Sequence, residues 1–442
     1  MWPAAACVPA RSRLGCLAVG VSQRSHLCYK GNKHQVAPHR PSPSIVLLSR
    51  GSIALIRTII GTFTDAGRDV ARDHQPGSRH VERRYYLTDA EMSARFGAIP
   101  CLDGLRAISI LLVLFSHFVS AIFPGGFGVL VFFVISGFLI TRLLFAELKV
   151  RERVSLRNFY IRRFLRLYPA IGVYTVVIVA LFYFRQAPIH WPEPASALFY
   201  FANYLYAGFS IEGKEGGTMP FSIFWSLSVE EHFYILFPAV FVAAHGNPKR
   251  LATVLVAVCI GALTLRLIGA AVFPERLQTL YFMYETQFRL DSLAVGVLVA
   301  VLCEANRGRD LVRRLARPLP IAIAAAVLLL CFAIRDPWFR ETLRYTLQSA
   351  AVAVILIGIL FSGRNTVVNR MLNLPVATWI GRLSYSLYVW HLVPLPFLDG
   401  LLSGKEEVAV ARVVFSIAFA ALSYYCLEQP LIGLRHRFGS VR

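Results

Sequence analysis

Three titratable side chains interrupt one apolar run of the sequence: Asp103, Arg106 and His117 within Leu102–Phe118. A charged side chain at mid-helix costs about 2.5–3.5 kcal/mol on membrane-insertion scales, so those that persist face a bundle interior or an aqueous cavity. Asp103 and Arg106 are i,i+3 neighbours and are expected to neutralise each other. The eleven residues from Arg106 to His117 amount to about 1100° of rotation and about 16 Å of rise, which puts all three groups on one helical stripe. Such a stripe holds an imidazole deep in the membrane, beyond an ion pair at the cytoplasmic end. Imidazole accepts and returns a proton near neutral pH, which is what activating a hydroxyl nucleophile requires. The alternative is structural: His117 bonds another helix, and Asp103–Arg106 pins the helix end.

A second constellation reads Phe224-Trp-Ser-Leu-Ser-Val-Glu230-Glu231-His232. Adjacent glutamates do not share a helix face, so one is expected to point inward and the other toward the headgroups or a polar crevice. Glu230 either orients a protonated histidine, binds sugar hydroxyls, or is the buried partner of Arg266 or Arg289. Arg289 with Asp291, and Trp390 with His391, read as structural pairs, because a lone histidine on an apolar helix is more often a packing residue than a catalyst. Phe132-Phe-Val-Ile-Ser136-Gly137-Phe138 puts small residues at mid-helix, the mark of close helix packing. In Asn158–Pro169 the basic Arg162, Arg163 and Arg166 alternate with aromatics. Lipid anchoring accounts for such an interfacial face, and binding the phosphates of a cytoplasmic acyl donor is the sharper alternative.

The elements that must position these groups are membrane helices. Of 442 residues, 56% are apolar and 16% charged, with a mean hydropathy of +0.56, which excludes a disordered chain and fits an ordinary soluble enzyme poorly. Ten apolar stretches of helical length follow Ile99, at about 100–123, 126–146, 168–185, 222–244, 251–273, 288–304, 318–334, 343–362, 377–398 and 407–428. The expected fold is therefore an all-α, polytopic membrane protein. The aromatic-rich segment 195–210 is too short to span and reads as interfacial or re-entrant. With the chain before the first helix placed inside, the inner loops carry 20 Lys and Arg and the outer loops 7. Positive residues are retained on the cytoplasmic side, so both termini are expected there.

Residues 1–91 are basic, hold no run long enough to span, and read as a disordered tail; Met92 offers an alternative start. A membrane domain over 92–430 and a short basic tail over 431–442 complete the expected organisation. The 8 cysteines show no paired spacing, so neither a disulfide framework nor a metal site is expected. The net charge of +21 is taken up by topology, and no nucleic-acid recognition module accompanies it.

Taken together, Leu102–Arg106 with His117, Phe132–Phe138, Tyr160–Pro169, Trp225–Glu230, Phe288–Asp291 and Ser384–His391 resemble the motifs of the acyltransferase-3 family of bacterial membrane O-acyltransferases. The resemblance runs from about 99 to 430. It implies ten helices in the bacterial cytoplasmic membrane and transfer of an acyl group, commonly acetyl, from cytoplasmic acyl-CoA to a hydroxyl of a surface glycan or lipid-linked sugar. On that resemblance Arg106 and His117 match the essential Arg/His pair, with Asp103 and Glu230 beside them. Arg162, Arg163, Arg166 and Ser136 fall on the donor side, and no metal is required. Glu231-His232 departs from the Gln common at that place. The chain ends 12 residues after Pro430, so a form without the fused SGNH hydrolase-like domain is expected. A transporter or flippase of a lipid-linked sugar is the rival, weakened by the lack of an internal repeat.

Overall fold

Apolar runs in lipid satisfy their backbone groups by coiling into helices, since lipid supplies no hydrogen-bonding partner. The computed structural model describes residues 100–120, 122–214, 216–361, 366–393 and 405–434, and every regular element among them is helical. The expected tail over 1–91, the alternative start at Met92 and the basic residues after Leu434 lie outside the described residues.

The longer elements are α1 (Pro100–Phe118), α2 (Gly125–Arg151), α3 (Leu156–Phe184), α4 (Pro192–Leu198), α5 (Ala202–Ile211), α6 (Phe224–Ala243) and α7 (Pro248–Val272). They continue with α8 (Leu290–Glu304), α9 (Asn306–Leu315), α10 (Pro318–Ala333), α11 (Leu343–Phe361), α12 (Pro375–Trp390) and α13 (Lys405–Ser423). Seven helices among the described residues are long and apolar enough to cross a membrane, and an eighth span forms if α9 and α10, bent by 70°, count as one. The chain is a multi-pass membrane protein. Each of the ten expected stretches is largely helical where described, but α8, with 15 residues, and α12, with 16, are short for independent spans. The inner basic loop expected after α8 is the helix α9, set at an angle across the start of α10.

Two differences from the sequence reading bear on the site. Helix α1 stops at Phe118, before Pro124, so His117 lies in its last turn and is exposed. It does not sit deep within the span. Helix α3 starts twelve residues before the expected span: Ser155 caps it, its side chain accepting from Asn158 N. No break follows before Phe184. The arginine run is therefore carried into the bundle on a continuous helix.

Lipid tails are as apolar as leucine, so helix association rests on close packing and interhelical hydrogen bonds. Helix α2 packs on α8 through Gly137 and Gly296. A Cβ on the first would collide with the Leu293 carbonyl, and one on the second with the Val134 carbonyl. Helix α1 meets α12 in the same way, since Gly381 lies against the backbone of Asp103. The segment read as interfacial or re-entrant forms α4 and α5. Trp191, Phe199 and Tyr204 are exposed along it, while Ala197, Ala202 and Tyr206 are buried. Glu193, fully buried, anchors the segment. Its carboxylate accepts from Tyr206 Oη at 2.6 Å, Thr218 Oγ1 at 2.6 Å, Thr218 N at 2.9 Å and Met219 N at 3.0 Å.

Gly137→Ala and Gly296→Ala are each expected to lower stability by ~1–3 kcal/mol, the usual cost of overpacking. Gly172→Ala, with nothing within 4 Å of the added carbon, is expected to be neutral or slightly stabilising. Thermal unfolding of the three variants in detergent micelles checks the contrast.

Candidate active site

Helices α1, α2, α3 and α6 bring charged side chains together inside the bundle. Ser136 Oγ of α2 donates to Glu230 Oε1 of α6 at 2.7 Å. Arg163 of α3 lies with its guanidinium carbon 3.6 Å from the centre of the Tyr234 ring, and its Nε stands 3.4 Å from Glu231 Oε1. Neither of those two atoms has a hydrogen-bond partner, so the pair is ionic, without hydrogen-bond geometry. Arg163 interacts with both Glu231 and Glu230. The two glutamates thus both point into the bundle, because neighbouring helices flank α6 on both sides. Arg106 of α1 is half-buried and feels Asp103, then Glu230. The charge of Asp103 is answered by Arg106, then Arg382, then Arg166, so the expected one-to-one neutralisation is shared among three guanidinium groups.

The structure therefore joins six of the sequence-derived residues: Asp103, Arg106, Ser136, Arg163, Arg166 and Glu230. Two stand apart. Arg162 is tied to the nearly buried Glu147, Nη2 to Oε2 at 2.6 Å, at the far end of α2. His117 lies eleven residues beyond Arg106 on α1, about 16 Å along the axis.

At that other end of α1 the His117 ring lies 5.1 Å from the ring of His391, edge-on at 63°. His391 follows the last residue of α12, is fully buried, and also touches Phe118 and Tyr388. Between the two groups of polar side chains stands Tyr388. Its hydroxyl donates to Ile223 O at 2.9 Å and lies 2.6 Å from Ser226 Oγ; since a phenol has one proton, Ser226 is the donor in the second bond. Sequence reading assigned His391 to packing and had no means of pairing it with His117, 274 residues away. It also missed Glu428, which accepts from Ser386 Oγ at 2.6 Å and Ser423 Oγ at 3.0 Å at the end of a π-helical turn, Tyr424–Glu428. A carboxylate ending an apolar run was the available signal, and π-turns recur at functional sites.

The remaining candidates serve other contacts. Arg266 pairs with Asp291, Nη2 to Oδ2 at 2.7 Å with both side chains fully buried, and Thr346 Oγ1 donates to the same oxygen at 2.7 Å. Glu230 is thus not the partner of Arg266. Arg289 lies 3.9 Å over the Tyr345 ring. His232 Nδ1 is 2.7 Å from Thr286 Oγ1, which accepts from Asn203 Nδ2 at 2.9 Å; together they tie α5 to α6. No group of three or more metal-ligating side chains occurs among the described residues.

A family model described as an acyltransferase domain matches residues 99–428. The peptidoglycan O-acetyltransferase OatA of Listeria monocytogenes is 28% identical over 349 residues, covering 75% of this chain and 56% of its own length. The O-acetyltransferase OatA of Staphylococcus aureus is 29% identical over 350 residues, with 75% and 57% covered. The chain thus spans a little over half the length of these curated relatives. No solved structure matches it.

Removing one partner of a buried ion pair leaves an uncompensated charge, at a cost of about 3–5 kcal/mol, whereas replacing both partners is often neutral. Arg163→Met is therefore expected to destabilise the protein strongly, and Arg163→Met with Glu231→Gln to recover part of the loss. Thermal unfolding in detergent, run as a double-mutant cycle, measures the coupling.

Proposed function

The chain belongs to the acyltransferase-3 family, and from that membership we propose that it is a membrane O-acyltransferase, moving an acyl group from acyl-CoA to a hydroxyl of a surface or lipid-linked carbohydrate. Acetyl is the favoured group and a glycan the favoured acceptor, on the printed names of the Listeria and Staphylococcus relatives. The proposed location is the bacterial cytoplasmic membrane, with the N-terminal end of α1 and both chain termini on the cytoplasmic side. The excess of Lys and Arg in the corresponding loops supports that orientation.

The observation that carries the reading is the placing of His117. An exposed imidazole ends α1, and Arg106, on the same helix, lies about 16 Å away among carboxylates. Arg106 and His117 do not touch, so they do not act as a contact pair. A donor with a long arm suits that separation: its charged part stays at the Arg106 end, near Arg163 and Arg166, while its thioester reaches the His117 end. Glu230, held by Ser136, and Asp103 fix the charge around Arg106. Arg162 is the outermost of the basic residues proposed to meet the donor's phosphates, in competition with Glu147.

In the proposed reaction the acceptor hydroxyl gives its proton to His117 as its oxygen attacks the thioester carbon. The tetrahedral intermediate collapses, the carbon–sulfur bond breaks, and the thiolate takes the proton back from the imidazolium. The products are the O-acyl ester and free thiol.

His117→Ala is expected to insert normally and to lose ~10²–10⁴-fold in rate, the range for general acid–base catalysis. Arg106→Ala is expected to raise the donor KM as well. Ester-linked acetate released by mild alkali from surface glycans, at matched levels of membrane protein, measures the loss of activity, and initial rates in membrane vesicles at varied acetyl-CoA measure the donor KM. Wild-type acetylation by His117→Ala refutes the assignment of the base; unchanged acetylation on deleting the gene refutes the function.

A further inference from the structure

We propose that His391 is a positioning residue for His117. Its Nε2 accepts a hydrogen bond from one ring nitrogen of His117 and so turns the other nitrogen, lone pair outward, toward the acceptor hydroxyl. The inference rests on the reading of His117 as the base.

The tautomer of His391 follows from its surroundings. Nδ1 lies 2.8 Å from the Tyr388 carbonyl oxygen, and a carbonyl only accepts, so Nδ1 carries the proton and donates it. Nε2 is left with its lone pair. That nitrogen is buried and has no partner, in a side chain with no exposed surface. Burying an unpaired acceptor is unfavourable, and a phenylalanine would fill the same space without that penalty. The rings packed against His391 are His117 and Phe118 from α1 and Tyr388 from its own helix, while Ser416 of α13 meets the His391 backbone carbonyl. The Tyr388 hydroxyl is committed to Ile223 and Ser226, and the one proton of Ser416 Oγ goes to Arg412 O at 2.6 Å, with the His391 carbonyl 3.3 Å away. Of the three rings packed against His391, His117 is the one with an N–H to offer.

The spacing fits. Two imidazoles joined by an in-line N–H···N bond stand about 5 Å apart between centroids, from a nitrogen separation of ~3 Å and two ring radii; the observed separation is 5.1 Å. The rings are edge-on at 63° and unbonded, so a turn of the His117 ring is needed to close the bond. His117 is the exposed member, in the last turn of its helix, and has the room to turn. The helices supply the alignment: Gly381 lets α12 lie against α1 at Asp103, so both run the same way and end with their histidines in contact. A base oriented by a third group is the general pattern of activated nucleophile sites. Here the third group stays neutral, and once His117 takes up the proton the N–H···N bond becomes charge-assisted and steadies the imidazolium.

The test compares His391→Asn with His391→Gln in membrane vesicles carrying the full chain. Asparagine keeps a donor near the place of Nδ1, facing the Tyr388 carbonyl, and loses the acceptor; glutamine keeps an acceptor near the place of Nε2 and loses that donor. Two readouts are taken across pH: carbethoxylation of His117 by diethyl pyrocarbonate, followed by peptide mass spectrometry, and acetyl transfer from acetyl-CoA, with kcat and KM separated. His391→Asn is expected to slow modification of His117 and to lower kcat by about tenfold or more, within the general-base contribution, leaving the donor KM near wild type. His391→Gln is expected to retain more of both. A purely structural role predicts the reverse order, and unchanged His117 reactivity in His391→Asn overturns the proposal. An active His117→Ala removes the reading of His117 as the base, while the reactivity of His117 in the other variants still judges the pairing.

Discussion

A guanidinium inside a lipid-embedded bundle has to be matched by the protein, and Arg163 is where that requirement binds α3 to α6. Its partners are the Tyr234 ring below it and the carboxylates of Glu231 and Glu230. Glu230 in turn holds Ser136 of α2 and faces Arg106 of α1. Four helices that gain little from apolar contact with one another in lipid are thereby joined through a set of charges that none could carry alone. The glycine contacts determine how near the helices come; the charges determine which faces meet.

The existence and type of most elements were legible from hydropathy, because a long apolar run in lipid satisfies its backbone by coiling into a helix. Helix ends were less so. The arginine run looks interfacial by composition, yet Ser155 caps a helix that continues past it, and burial of Arg163 is decided by Glu231, 68 residues away. Asp103, Arg106 and Glu230 were found by a one-dimensional rule, that charge in a span needs a reason. His391 obeys the same rule but was assigned to packing, since a neutral imidazole beside tryptophan is ordinary on a helix. Only the fold, by aligning α1 with α12, gives it a histidine neighbour.

The separation of the two polar groups constrains any chemistry the protein performs. A charged cluster and an imidazole about 16 Å apart on one helix do not act on the same atom. One end is suited to holding an anionic group, the other to moving a proton. Tyr388 lies between them, but its hydroxyl is taken up by Ile223 and Ser226, so it does not complete a continuous hydrogen-bonded chain. In the proposed reaction a proton accepted at His117 is therefore returned locally, to the leaving group.

This locality gives the contrast in exposure between the two histidines a physical meaning. An exposed imidazole in the last turn of a helix has few contacts to fix its ring, and in the proposed reaction each orientation that points its lone pair away from the substrate lowers the rate in proportion to its population. A buried ring cannot meet a substrate but keeps its orientation, because Nδ1 is held by the Tyr388 carbonyl and the ring by Phe118. On the proposed pairing, dividing access and rigidity between His117 and His391 provides both in one place, and Gly381 allows the division by removing the side chain that would otherwise hold α12 away from α1.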